Sequence, residues 1–162
     1  MARVHHVKKA RKDNAVVKKG ESYYWWEFRN SGKKMSATKP TRSQLTQSAF
    51  KQTYYGLQDR IEGMRKLTLT ELENEHPAIV SEIDNLAEEA QESLENVPES
   101  MQESHMLNGR IESLEEWGSG FENVDVEVDT KELEPGLDGE DLSQEEVNRI
   151  VDELIDSDPG IE

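Results

Sequence analysis

After residue 44, the large apolar residues recur every three or four positions, which is the spacing of one face of an α-helix. Because the stripes are narrow, resemble coiled-coil seams and have short connections, they predict an antiparallel helical hairpin or a small three-helix bundle over residues 43–121. The three stripes consist of Phe50, Tyr54, Leu57, Ile61 and Met64; of Ile79, Ile83, Leu86, Ala90, Leu94 and Val97; and of Met106 or Leu107, Ile111, Leu114, Trp117 and Phe121.

Capping motifs predict where the first two helices begin. Thr41 with Gln44, or Ser43 itself, would cap a helix that starts near residue 44. The second helix has two candidate starts, the capping box Thr70–Glu73 and a first turn that contains Pro77.

A fourth amphipathic pattern lies near the C-terminus, where Ser143 and Glu146 form a capping box. A helix of about 13 residues is marginal alone, so its apolar stripe would dock on the chain's own helices or bind a groove on a protein partner. The residues of this predicted partner-binding stripe are Val147, Ile150, Val151, Leu154 and Ile155.

Between these helical regions, residues 122–142 are rich in Asp and Glu and contain Pro and Gly, which predicts an acidic linker. Val124, Val126 and Val128 alternate with acidic residues inside it. That alternation has strand periodicity, but a solvated segment is the favoured interpretation. Residues 143–162 would then form a short helix and tail.

The charges of the chain are strongly segregated. Residues 1–51 contain 13 Lys and Arg against three Asp and Glu, residues 52–121 contain four against 16, and residues 122–162 contain two against 16. The corresponding net charges are +10, −12 and −14, within a total of −16. Such asymmetry is typical of a polyanion-binding segment joined to an acidic region, although both could also be solvated faces.

The N-terminal part of the chain combines basic and aromatic residues. Residues 1–22 have few large apolar side chains and predict a flexible basic arm. The aromatic run at 23–28, a loop at 30–32 and a return strand at 33–38 predict a β-hairpin over residues 23–42, which Pro40 helps to end.

Strand alternation divides the aromatic side chains of this hairpin between its two faces. Tyr24, Trp26 and Phe28 would pack as core, whereas the opposite face would combine aromatic rings with cations. Rings beside cations suit the bases and phosphates of a nucleic acid, although basic hairpins also bind acidic protein surfaces. The predicted nucleic-acid-binding residues are Lys8, Lys9, Arg11, Lys12, Lys18, Lys19, Tyr23, Trp25, Arg29, Lys33 and Lys34.

Residues 23–34, which read Tyr-Tyr-Trp-Trp-Glu-Phe-Arg-Asn-Ser-Gly-Lys-Lys, together with Thr38 resemble the N-terminal arm-binding module of phage-type tyrosine integrases. The resemblance implies that an aromatic strand, a Gly-Lys hairpin and a third strand contact DNA; it covers about 20 residues and implies no recombinase chemistry. The longer stretch through residues 41–48 is similar to small phage- and prophage-borne proteins of uncharacterised function, which implies a viral context.

Several kinds of chemistry have no support in the sequence. The chain has no Cys, no Gly-x-Ser-x-Gly motif and no Gly-rich nucleotide loop, so no cofactor is expected. The four His lack metal-ligand spacing, and the acidic run at 125–129 lacks the Gly that a calcium loop needs at the next position, where Thr130 stands. Leu, Ile, Val and Phe total 34 residues, about 21%, so a large enzyme-like core is not expected.

These observations predict a mainly α fold with a basic N-terminal β-hairpin, an acidic helical region and a short C-terminal amphipathic helix. No apolar run reaches the ~18 residues of a membrane span, and the basic start lacks a signal-peptide core, so we expect a cytoplasmic protein, in the host cell if viral, with no membrane partner. The narrow stripes favour a homodimer, whereas like-charge repulsion opposes one.

Three non-enzymatic functions follow from the same pattern. The first is a nucleic-acid-binding accessory protein whose acidic tail restrains binding by competing for the basic arm. The second is an inhibitor or modulator of a host factor that uses its acidic helices as a nucleic-acid mimic. The third is a virion structural or assembly protein in which basic and acidic ends bind each other between subunits.

Overall fold

The computed structural model describes residues 2–29, 31–98, 105–127 and 139–161. Within them the chain is mainly helical, with a small antiparallel sheet at the N-terminal end, which confirms the predicted fold class in its main features. The chain divides into two compact units, which we call the N-terminal unit (Met1–Gly56) and the C-terminal unit (Leu57–Glu162).

The sheet of the N-terminal unit has three strands, one more than the predicted hairpin. The additional strand, β1, lies in the segment that was predicted to be a flexible arm, and it pairs with the aromatic strand in the antiparallel sense. The strands are β1 His5–Val7, β2 Tyr23–Phe28 and β3 Ser31–Ser36, in the order β1-β2-β3.

The rest of the segment that was predicted as an arm forms a closed loop between β1 and β2. The Ala10 N–H donates to the Glu21 carbonyl oxygen at 2.8 Å, and the Gly20 N–H donates to the Ala10 carbonyl oxygen at 2.9 Å. Gly20 has φ +97°, a left-handed conformation that glycine adopts readily. Asn14 Oδ1 accepts two backbone N–H groups of the turn that follows it. Polar backbone contacts therefore order a segment that buries little apolar surface.

Four α-helices follow in the described residues, together with two short 3-10 turns. The turns cover Ser43–Leu45 and Met64–Lys66. The helices are α1 Ala49–Gly63, α2 Leu69–Glu95, α3 His105–Glu122 and α4 Gly139–Asp156.

The first helix begins later than its predicted cap near residue 44. The Thr41 N–H donates to Gln44 Oε1 at 3.2 Å, so this pair closes the start of the short 3-10 turn, which contains Gln44. Ser48 caps α1, because its Oγ accepts the Lys51 N–H at 3.3 Å. The helix then continues to Gly63, and the division between the two units falls within it.

The second helix uses a capping box that lies two residues earlier than the predicted one. Thr68 Oγ1 accepts the Glu71 N–H at 3.4 Å, while Glu71 Oε2 accepts the Thr68 N–H at 2.8 Å. Pro77, which was considered as a first-turn residue, lies inside the helix. Thr-x-x-Glu occurs twice here in overlapping register, so the local motif alone does not decide between Thr68 and Thr70.

The last helix also starts earlier than predicted. It begins at Gly139, which places Ser143 inside α4 and not at its N-cap. Residues 128–138, which make up about half of the predicted acidic linker and include Val128, lie outside the described residues. Val124 and Val126 belong to no strand.

Helices α2 and α3 pack in antiparallel directions. His76 of α2 donates its Nε2–H to the Phe121 carbonyl oxygen near the end of α3, at 2.8 Å, and the two rings stack. Further along α2, a Cβ placed on Gly118 would lie 3.1 Å from Asp84 Oδ1. Residue numbers rise along one helix as they fall along the other. The close approach at Gly118 accompanies complete burial of Trp117 and Phe121 on the same helix.

Helix α4 completes the core of the C-terminal unit, so its stripe docks on the chain's own helices, the first of the two predicted alternatives, and the assignment of these residues to partner binding was wrong. Gln144 Nε2 donates to the Arg65 carbonyl oxygen at 2.8 Å, and Arg65 forms an ion pair with Asp152 at 2.6 Å. The stripe faces the interior of this unit because the apolar area it would otherwise expose is best covered by the neighbouring helices. Its buried members are Val147, Ile150, Val151 and Leu154.

Replacement of Thr68 by Ala is expected to lower the free energy of unfolding by about 1 kcal/mol, because the α2 N-terminus loses its hydroxyl acceptor. Thr70→Ala is the matched control, since it deletes the same atoms two residues later and leaves the box intact. Urea unfolding measures both. An equal loss for the two variants would contradict the assignment of the cap to Thr68.

The same capping box predicts a pH dependence of stability. Hydrogen bonds from the Thr68 backbone and hydroxyl groups hold the pKa of the Glu71 carboxyl below its ordinary value. A carboxyl with a lowered pKa in the folded state stabilises the fold above its unfolded pKa, and that stabilisation is lost as the pH falls through the folded pKa. The stability gap between wild type and Glu71→Ala should therefore shrink between pH 7 and pH 3. A gap that is constant in urea titrations would contradict this.

Candidate nucleic-acid interface

The pairing register places the aromatic residues of β2 on two different faces of the sheet. Trp26 and Phe28 are buried, and Tyr24 is half-buried on the same face, which agrees with their predicted role as core. The other face contains Tyr23 and Trp25, with Val7 and His5 opposite them on β1. Met35 of β3 lies opposite Trp25, so it belongs to this second face as well. We call it the open face of the sheet.

Trp25 lies at the centre of a row of side chains on the open face. The His5 ring stacks on the indole with centroids 4.1 Å apart and an interplanar angle of 9°. Lys33 Nζ lies 4.1 Å from the centre of the indole ring. His5 and Lys33 come from the strands on either side of β2, so the indole is bracketed by an imidazole and a cation. Its rings are therefore less open to base stacking than the sequence suggested.

Beside this row lies a cavity of about 410 Å³, which we call the basic cleft. Its floor is formed by open-face residues of all three strands, Val7, Tyr23 and Met35. Its wall consists of residues 9–12 and Asn14 at the start of the β1–β2 loop. Four cations line it, namely Lys9, Arg11, Lys12 and Lys33.

The cleft has a one-sided electrostatic character. Of the residues that the structure describes, no Asp or Glu lines it. Within the described part of the chain, no ion pair involves any of its four cations. Four positive charges around an apolar floor favour an anionic ligand that also has an apolar or aromatic surface.

The remaining predicted nucleic-acid-binding residues lie elsewhere in the N-terminal unit. Arg29 and Arg3 line a separate cavity of about 380 Å³ that also contains Glu27. Lys34 lies on the face opposite the basic cleft, with its Nζ 5.5 Å from the centre of the Phe28 ring. Lys8 is exposed next to β1. The structure therefore brings five of the eleven predicted residues together at the cleft and places Trp25 beside it.

Lys18 and Lys19 take a different role from the one predicted, at least through their backbones. The Lys18 N–H donates to Glu21 Oε2 and the Lys19 N–H donates to Asp13 Oδ1, each at 2.7 Å. These bonds close the β1–β2 loop, and both side chains are exposed on it. Two of the three acidic residues of the N-terminal unit are thus used to order the loop that carries its cations.

Sequence reasoning missed three residues of the open face: His5, Val7 and Met35. Their positions depend on the pairing of β1 with β2 and on the register of β3, which are contacts between distant parts of the chain. The alternation of β2 could have located Met35 if the register of the hairpin had been known.

The C-terminal unit has the opposite electrostatic character. Residues 57–162 contain six Lys and Arg against 32 Asp and Glu, a net charge of −26, whereas residues 1–56 have a net charge of +10. The change of sign along the sequence therefore coincides with the structural division between the units.

Besides Arg65, two arginines of the C-terminal unit are paired with its carboxylates. Arg60 of α1 bonds Glu75 at 2.5 Å and also Glu82, both on α2. Arg149 bonds Glu146 and Glu153 within α4, and its hydrogen bond lowers the pKa of the Glu146 carboxyl. These pairs raise the pKa of each arginine, so the guanidinium groups stay charged.

A cavity of about 560 Å³ lies in the corner between α1 and α2, with Met64 and Leu67 among its apolar residues. Its cation, Arg60, is already bonded to Glu75, which also lines the cavity. One cation and two carboxylates, Glu71 and Glu75, line this cavity, so it has mixed charge, in contrast with the basic cleft.

No group of three or more metal-ligating side chains occurs among the described residues. In those residues, too, no helix has both the length and the apolar character needed to cross a bilayer.

No protein-family model, curated protein or solved structure matches this chain. The resemblance of residues 23–38 to the integrase module, and of the longer stretch to small phage proteins, thus stays a prediction.

Proposed function

We propose that this protein is a non-enzymatic accessory protein, of the phage type that the sequence resembles, which binds nucleic acid through the open face of its N-terminal unit. The observation that carries the proposal is the basic cleft, where four cations and no carboxylate surround an apolar, aromatic floor. Phosphates supply the anions that such a cleft attracts, and bases supply the flat apolar surfaces.

The charge partition supports the same function. A net charge of +10 on residues 1–56 is enough to attract a polyanion, although the whole molecule has a charge of −16. Asp13 and Glu21 accept backbone N–H groups within the loop, and neither is among the residues that line the cleft. An acidic protein surface would satisfy the cations but would make less use of the aromatic floor.

We further propose that the acidic C-terminal unit restrains this binding. Its 32 carboxylates compete with phosphate for the cations, either within one molecule or between molecules. Deletion of the C-terminal residues is not a suitable test of this restraint, because α4 supplies Val147, Ile150 and Leu154 to the core. Neutralisation of exposed carboxylates leaves that core intact.

The triple variant Arg11→Gln, Lys12→Gln and Lys33→Gln is expected to weaken binding of DNA and RNA and to reduce the slope of log K against log salt by about 2 to 3, because each lost phosphate contact removes about 0.7 to 0.9 from the slope. Fluorescence anisotropy between 50 and 200 mM salt measures affinity and slope together. The proposal fails if wild-type protein binds neither nucleic acid at 50 mM salt.

The matched control is Lys34→Gln, Lys39→Gln and Lys51→Gln, which removes the same charge from the N-terminal unit at positions that do not line the basic cleft. We expect a smaller loss of affinity from the control triple. Equal losses would show that only the overall charge matters and would contradict the assignment of binding to the cleft.

Replacement of Glu88, Glu89, Glu115 and Glu116 by Gln is expected to strengthen nucleic-acid binding, because these exposed carboxylates compete for the cations. The effect should shrink as salt rises from 50 to 200 mM, since screening weakens competition between exposed charges. Anisotropy titrations at both salt concentrations measure it. Unchanged affinity at 50 mM salt would contradict restraint by the acidic unit and leave the cleft assignment standing.

A further inference from the structure

The aromatic side chains of the open face differ in what already covers them. The centre of the Trp25 ring lies 4.1 Å from the centre of the His5 ring and also 4.1 Å from Lys33 Nζ, so two side chains already contact it. Tyr23 instead lines the basic cleft, between Val7, its partner on β1, and Met35. Of these two aromatic residues, Tyr23 is therefore the one that lines the basic cleft.

The size of the basic cleft limits what it can hold. Its volume of about 410 Å³ is at the small end of the roughly 300–1,000 Å³ range of ligand pockets. A duplex about 20 Å wide cannot enter a space of this size, whereas one base with its sugar can. The floor of Val7, Tyr23 and Met35 offers one base the ring and methyl contacts on which single-stranded nucleic acids are held.

The four cations line the same cleft as this floor. Lys9, Arg11 and Lys12 belong to the loop wall, and Lys33 belongs to β3. A nucleotide whose base lies on the floor has a phosphate on each side of its sugar. Cations supplied by two separate elements suit two phosphates better than cations of one element would.

We infer that the basic cleft binds one unstacked nucleotide of a single-stranded segment, with its base on Tyr23 and its flanking phosphates on the four cations. This inference rests on the proposed function and deepens it, because it names the form of nucleic acid. The protein then prefers single strands, or the unpaired nucleotides of a duplex, over fully paired duplex. The preference is for an accessible base and not for a sequence.

The test uses full-length protein and three ligands of equal length: a single-stranded oligothymidine, the same strand in a duplex, and a strand with abasic sites in place of its bases. Tyr23→Leu is expected to weaken single-strand binding by about 5- to 150-fold, the usual effect of losing one base–aromatic stack. Its affinity for the abasic strand should stay the same. Tyr23→Phe retains the ring and should bind the single strand like wild type.

Two outcomes of this titration overturn the inference: equal losses on the normal and abasic strands, or no loss on the normal strand. In both cases the Arg11, Lys12 and Lys33 variant described above decides separately whether the proposed function holds. If wild type binds none of the three ligands, both proposals fail together.

A second measurement does not depend on how well a variant folds. A single-stranded oligonucleotide with one 5-iodouracil is photo-crosslinked to wild-type protein, and the modified peptide is mapped. We expect the crosslink at Tyr23 or Met35, and excess free mononucleotide should suppress it more strongly than inorganic phosphate does. A crosslink at Trp25 alone, or equal suppression by phosphate, overturns the base-on-floor arrangement.

Discussion

The C-terminal unit must bury a narrow apolar seam while it carries a net charge of −26, and the arrangement of its helices follows from that constraint. Repulsion between carboxylates favours separation of the helices, and burial of Ile79, Ile83 and Leu86 against the residues of α3 and α4 opposes it. Two arginines form ion pairs between different elements. Arg60 links α1 to α2, and Arg65 links the turn after α1 to α4.

The same constraint explains why α4 is part of the core. An isolated helix of this length would be marginal in water, and its stripe supplies apolar area that an acidic body has little of elsewhere. Gln144, Asp152 and the buried stripe together fix the helix in one register on the turn after α1. A pattern that is typical of a partner-binding motif is here an ordinary structural element.

The sequence predicted a structural feature correctly wherever the spacing of apolar residues alone determines that feature. The three- and four-residue spacing located all four helices, and the two-residue alternation of β2 correctly separated Trp26 and Phe28 from Trp25. The sequence did not determine where the helices begin, because Thr68 and Thr70 offer the same capping motif and only tertiary packing selects between them. It also missed β1, because His5–Val7 is short and polar and forms a strand only through pairing with β2.

For the candidate interface, the residue types could be predicted but their grouping could not. The sequence picked out Lys9, Arg11, Lys12, Tyr23 and Lys33, yet it treated them as equal to cations on the opposite face. What distinguishes them is a cleft whose wall is a loop closed by backbone hydrogen bonds to Asp13 and Glu21. Such bonds join residues that no periodic pattern relates, so the cleft is visible only once the loop is folded.

The coincidence of the charge boundary with the structural boundary also affects the protein's behaviour as a colloid. At the isoelectric point that its composition gives, near pH 4.7, protonation has lowered the negative charge of the C-terminal unit until it equals the positive charge of the N-terminal unit. Lys and Arg remain protonated at that pH, so both units still carry charge when the molecule as a whole carries none. Solubility near that pH thus depends on ionic strength, because unlike units of different molecules attract each other and salt screens that attraction.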